Sequence, residues 1–178
     1  MKPNRGVNLA IYVFAVVFLA TLPRHASCGE TRYPISYKND AAKSSYPQQF
    51  AIDVDDVIGH QVRVFETRTP YTENAPVFDG VHAVEHRGRG LSDYTNGTGS
   101  FLAYYTYVLE DGNKVFGRVT GTVHATLQPD GSKQTYSTAV VTLTGGTGRF
   151  RAIKGLLRQT GRLDPAAGRV GTEVTGEY

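Results

Sequence analysis

From Gln48 onward, apolar and polar residues alternate with a period of two, the pattern of strands that bury one face. Phe50, Ile52 and Val54 alternate with Ala51, Asp53 and Asp55. This predicts a first strand with the Phe50 side against a core. Gly59-His60 turns the chain into a second strand over residues 61–67, and Pro70, Asn74 and Pro76 mark a loop over 68–76. Six more strands are expected near 78–93, 99–109, 114–127, 134–144, 151–163 and 169–178. Their separators include Asn96-Gly97, Asp111-Gly112 and Pro129-Asp130-Gly131, which supply the positive φ that tight hairpins need. An eight-stranded antiparallel meander must leave two edges exposed or close on itself. The expectation is therefore an all-β fold, a closed eight-stranded antiparallel β-barrel. Such an interior has room for its own side chains or one small ligand.

Two strands refine this picture. Val115, Gly117, Val119, Gly121, Val123, Ala125 and Leu127 form an apolar face studded with glycine, as expected where a small barrel bends. On the strand before it, Phe101, Ala103, Tyr105, Tyr107 and Leu109 oppose Leu102, Tyr104, Thr106 and Val108, so both faces are largely apolar. Such a strand is expected to be covered on its outer side by a second subunit or by the N-terminal arm.

The first residues have a different character. Lys2 and Arg5 precede an apolar stretch from Val7 to Leu22, and Ala26, Ser27 and Cys28 follow Pro23, the layout of a cleaved signal peptide. Export to a secreted or periplasmic location is expected, with residues 1–28 as signal, 29–47 as a polar arm and 48–178 as the barrel. Cys28 also fits the lipidated position of a lipoprotein, which would make membrane association depend on that residue. The formal charge of +3 includes Lys2, Arg5 and Arg24, so it falls to zero in the mature chain. A neutral chain offers no electrostatic footprint for nucleic acid.

Several chemistries lack their patterns. The Gly145-Gly146-Thr147-Gly148 run has no Lys-Ser/Thr ending and opens a strand-like stretch instead of a helix, so it reads as a tight turn and not as a phosphate loop. Four residues of strand separate His82 from His86 by about 13 Å. One metal ion cannot bridge them, and no metal or other cofactor is expected. No Gly-x-Ser-x-Gly elbow occurs to support a serine nucleophile.

The order Val141 to Phe150, with three glycines in its turn and Gly155 beyond, together with residues 100–109 and the intervening hairpins, resembles the allene oxide cyclase and dirigent barrels. The resemblance implies an oligomeric barrel, a dimer or trimer, that binds a small hydrophobic molecule and steers it largely by shape. It places Phe101, Tyr105 and Tyr107 on the cavity-lining strand. It puts the proton-transferring carboxylate at Asp53, or at Asp55 with a shifted register, and the cyclase cavity cysteine near Ser92. Two readings stay open. The barrel binds a small hydrophobic ligand, with or without a non-covalent isomerisation or cyclisation, or it is a non-catalytic barrel whose aromatic residues simply fill its core.

Overall fold

The alternation is realised as an all-β domain in a computed structural model that describes residues 31–164 and 169–178. The signal-like segment, Cys28 and most of the linker before Arg169 lie outside the described residues. Ten strands form one antiparallel sheet: β1 Pro34–Asp40, β2 Ser45–Asp53, β3 His60–Pro70, β4 Val77–Phe78, β5 Val81–Thr95, β6 Thr98–Leu109, β7 Lys114–Leu127, β8 Lys133–Gly146, β9 Gly155–Asp164 and β10 Arg169–Glu177. The lateral order is β1-β10-β9-β8-β7-β6-β5-β3-β2, with β4 pairing only β5. β1 and β2 are joined by a short 3-10 turn, Ala41–Lys43, whose start is capped by Asp40 accepting from the Ala42 amide at 2.9 Å. They are not register partners, so the hydrogen-bond ladder is not closed.

The strand count exceeds the expected eight for two reasons. Residues 29–47, expected as a polar arm, contain β1 and the start of β2, because Ile35 and Tyr37 are buried between exposed Pro34, Ser36 and Lys38. Two apolar positions make too short an alternation to stand out from the polar background. The expected strand over 78–93 is divided by Asp79-Gly80, with φ of 48° and 77°, which turns β4 into β5. Positive φ at both central residues is the two-residue hairpin signature. Asn96-Gly97, with φ of 54° and 85°, makes the same turn between β5 and β6.

The sheet curls strongly, as the contacts on its inner face show. The Tyr37 and Tyr107 hydroxyls meet at 2.7 Å although β1 and β6 are five strands apart in the ladder. Phe78 and the C-terminal Tyr178 rings stand 5.6 Å apart. Register partners run around the interior from Arg63 through Ser92, Phe101, Gly121, Ala139, Gln159 and Val174 to Tyr37. One end of this interior is filled by Phe78, Tyr107, Leu109, Val115, Leu143 and Phe150.

The glycine turn closes that end. After β8 the chain makes a 3-10 turn over Gly148–Phe150 and buries the Phe150 ring. The Thr147 hydroxyl accepts from the Lys114 amide at 2.9 Å and donates to Asn113 at 3.1 Å. Strand β9 therefore starts at Gly155, four residues later than the alternation predicts.

β2 overturns the expected burial, since all nine of its residues are exposed. Its pairing with β3 puts Ala51 beside Arg63 and Phe50 beside Val64. Since Arg63 and Phe65 lie on the inner face, Phe50, Ile52 and Val54 point outward and are exposed. The period of two locates a strand but not its buried side, because both faces of a strand share that period. Across neighbouring strands Phe50, Val64, Leu91 and Leu102 are consecutive partners, which makes an apolar row on the outer surface.

Candidate functional site

Toward its other end, the curled sheet leaves a pocket of about 210 Å³ on its inner face, between β2, β3, β5, β6, β7 and β8. Phe65, Phe101, Tyr105, Tyr94 and Tyr46 provide its aromatic wall, Ala103 and Val123 its aliphatic surface, and Thr67, Ser92, Ser137 and Arg63 its polar groups. Two glycines make room for the rings. A β-carbon at Gly88 would stand 3.3 Å from the Tyr105 ring, and one at Gly121 would stand 2.7 Å from the Phe101 ring. A side chain at Gly121 would also meet the Thr138 carbonyl at 2.5 Å and the Ala139 β-carbon at 2.6 Å, so β8 and the Phe101 ring together require glycine there.

Phe101 and Tyr105 thus line one pocket, both on β6 and four residues apart. Tyr107 lies deeper on the same face and is fully buried in the filled end, against Tyr37 and Phe78. Asp53 sits at the exposed end of β2, where its carboxylate accepts from the Gln61 amide at 2.8 Å. Asp55 lies in the exposed turn after β2 with a φ of 66°. Neither carboxylate is among the groups that line the pocket. Ser92, where the resemblance places the cyclase cysteine, is buried in the pocket wall.

The hydroxyls of the interior are held as neutral donors. Tyr105 donates to Gln159 Oε1 at 3.3 Å, and burial pushes its pKa up to about 12 despite that bond. Tyr94 is pushed up to about 12 by burial as well, with Arg63 opposing the rise. Burial raises Tyr37 and Tyr107 further, and the neighbouring Tyr107 makes ionisation of Tyr37 harder still.

His86 stands behind this wall. Its ring stacks on Tyr107 with centroids 5.1 Å apart and meets the Tyr105 ring edge-on at 4.2 Å. Desolvation lowers its pKa to about 4, so it is neutral at physiological pH, and its Nε2 has no hydrogen-bond partner. The sequence places His82 and His86 on one face. The structure separates them, because a bulge between Ala83 and Glu85 inserts Val84 and reverses the alternation, which leaves His82 exposed and His86 buried. No pattern in the sequence marks that bulge.

Sequence reasoning also passed over Arg63, Phe65, Tyr46 and Tyr94. In the run Val62-Arg63-Val64-Phe65, Val64 is 60% exposed and Arg63 with Phe65 lines the pocket. Only the pairing of β3 with β5, which sets Arg63 opposite the buried Ser92, reveals the inner side.

A larger cleft of about 600 Å³ lies between β1, β8, β9, β10 and the loop after β3. Its ionic groups pair with one another, Lys38 with Glu173 at 2.7 Å and Lys43 with Glu73 at 3.1 Å. Tyr71 and Tyr136 are the aromatic residues of this lining, and apart from Pro70 and two glycines the rest of it is polar or charged. The smaller interior pocket is the better candidate, since small-molecule sites combine an apolar lining with a few convergent polar groups.

Comparison of the chain with family models, with curated proteins and with solved structures found no match.

Proposed function

We propose that this protein is an exported binding barrel that holds one small hydrophobic molecule, of one or two rings, in the pocket framed by Phe65, Phe101 and Tyr105. The observation that carries the reading is the aromatic pocket itself, about 210 Å³ on the inner face of a sheet whose other end is filled. A volume below the roughly 300 Å³ typical of the smallest drug-sized sites suits a ring and not a long chain. In this reading the ladder closes into a barrel of the allene oxide cyclase and dirigent type, with the chain between β1 and β2 spanning the seam. The bonds from Ser44 to Thr69 at 2.8 Å and from Tyr71 to Asn39 at 2.6 Å tie β1 and its turn to β3 and its loop and so support that closure.

Binding requires no proton-transferring group, whereas an isomerisation or cyclisation that moves a proton does. Asp53 and Asp55, the carboxylates that the resemblance assigns to that role, stand outside the pocket. This favours binding over catalysis. The outer row of Phe50, Val64, Leu91 and Leu102 belongs to the same proposal as a contact between copies of the chain, because contiguous exposed apolar surface of this kind marks an interface.

Calorimetric titration of the full chain with cinnamamide, a neutral one-ring probe, tests the pocket. Saturable binding at one site per chain is expected, and it should be lost when Ser137→Phe fills the pocket. Binding that survives Ser137→Phe, or no binding by the native chain, would overturn the reading.

A further inference from the structure

The pocket wall carries one formal charge, and that charge is positive. Arg63 lines it from β3, and no aspartate, glutamate or second cation does. Among the described residues no carboxylate pairs with the Arg63 guanidinium. Three of the acidic groups at this end of the sheet are engaged elsewhere, and a fourth, Asp55, is exposed in the turn after β2 and lines neither hollow. Asp53 accepts from Gln61 at 2.8 Å, while Asp56 and Asp93 both hold His60, at 2.5 and 2.8 Å.

A second hollow adjoins the first. It has a volume of about 270 Å³ and shares Arg63, Ser92 and Tyr94 with the aromatic pocket. It adds Lys133 as a second cation and again has no carboxylate in its wall. Two connected hollows thus carry two cations and no anion, with Arg63 at their junction. A half-buried guanidinium that lacks a counter-ion retains its full capacity for a planar, bidentate partner.

We infer that the ligand of this pocket is an aryl carboxylate, its ring against Phe101 and Tyr105 and its carboxylate paired in the plane of Arg63. The inference rests on the binding reading above and adds the charge of the ligand to it. The neighbouring phenols suit the same partner. Tyr94 and Tyr105 keep their protons, since burial raises both, so neither brings a competing negative charge, and the Tyr94 hydroxyl is the donor left for the carboxylate because Tyr105 donates to Gln159. The ring of such a ligand occupies the aromatic pocket of about 210 Å³, and a short tether carries the carboxylate to Arg63 at the junction with the second hollow.

The test compares cinnamate with the isosteric neutral cinnamamide, by calorimetry on the full chain at low and high salt. Cinnamate should bind at least about tenfold more tightly, because a charge-assisted pair replaces a neutral hydrogen bond. Added salt should reduce that ratio. Arg63→Gln should bring the ratio close to one, and Arg63→Lys should keep part of it, since an ammonium retains the charge without the planar fork. Equal affinity for the two probes in the native chain, or a preference for cinnamate that persists in Arg63→Gln, overturns the inference but leaves the pocket reading intact. Failure of both probes to bind overturns both. Palmitate binding more tightly than cinnamate would also contradict it, by showing that a long chain is accommodated.

Discussion

The Tyr37 and Tyr107 hydroxyls lie 2.7 Å apart in the filled end of the interior, with Tyr37 on β1 and Tyr107 on β6. Both rings are buried, and their planes cross at 86°. This contact joins the first strand of the domain to the centre of the sheet without any ladder hydrogen bond between them.

Either single change, Tyr37→Phe or Tyr107→Phe, strands one buried hydroxyl, at a cost of about 1–3 kcal/mol. The double variant removes both hydroxyls and should be less destabilised than the sum of the singles. Urea unfolding of the four proteins measures this coupling. Strict additivity would mean that the hydroxyls do not act as a pair.

His86 makes stability fall at low pH. Its folded pKa of about 4 lies below the ordinary value of 6.5, so the unfolded chain takes up a proton first. The contribution of the neutral, buried ring is complete above about pH 6.5 and is lost as pH falls through the window down to about 4, on the order of 3 kcal/mol in all. His60 titrates in the opposite sense, because Asp93 and Asp56 hydrogen bonds raise its pKa. Nuclear magnetic resonance titration should therefore find one histidine above the ordinary range and one well below it, and His86→Phe should flatten the loss of stability between pH 6.5 and 4.

Tyr105 separates a pocket wall from core filler. Its ring faces the pocket on one side and His86 on the other. Tyr105→Ala should weaken cinnamamide binding at least about tenfold and cost less stability than the roughly 3–5 kcal/mol of a fully packed aromatic. Thermal unfolding and calorimetry on the same variant decide the matter. A large stability loss with unchanged binding would assign Tyr105 to the core.

The outer row on β2, β3, β5 and β6 predicts self-association. Light scattering at micromolar concentration should report a dimer or trimer, and Phe50→Asp with Val64→Lys should shift it to a monomer without a change in strand content. A native monomer would show that this apolar surface serves something other than a second copy.

Much of the sheet was legible in the sequence because its turns carry their own chemistry. Asn96-Gly97 and Asp111-Gly112 mark hairpins by positive φ, and the alternation on β7 gives its inner face, whereas both faces of β6 read as apolar. Asp79-Gly80 carries the same signal but is masked by apolar residues on both sides. What the sequence conceals is the set of relations that depend on pairing. Which side of β3 faces the interior follows from register, as pocket-lining Arg63 shows, and β2 lies exposed along its whole length, Phe50 included. A single inserted residue, Val84, turns His86 inward. The pocket itself was legible only on β6, through Phe101 and Tyr105, because its other walls come from strands remote in the chain.

A ring-sized molecule is expected to occupy the space between Phe101 and Tyr105. A crystal structure of the protein with 4-bromobenzyl alcohol tests it most directly, because the anomalous signal of bromine locates the ring independently of the side chains around it. One bromine site per chain is expected within van der Waals contact of Phe101 and Tyr105. Bromine found only on the outer apolar row or in the cleft beside Lys38, or an interior pocket closed by collapsed side chains, would contradict the account.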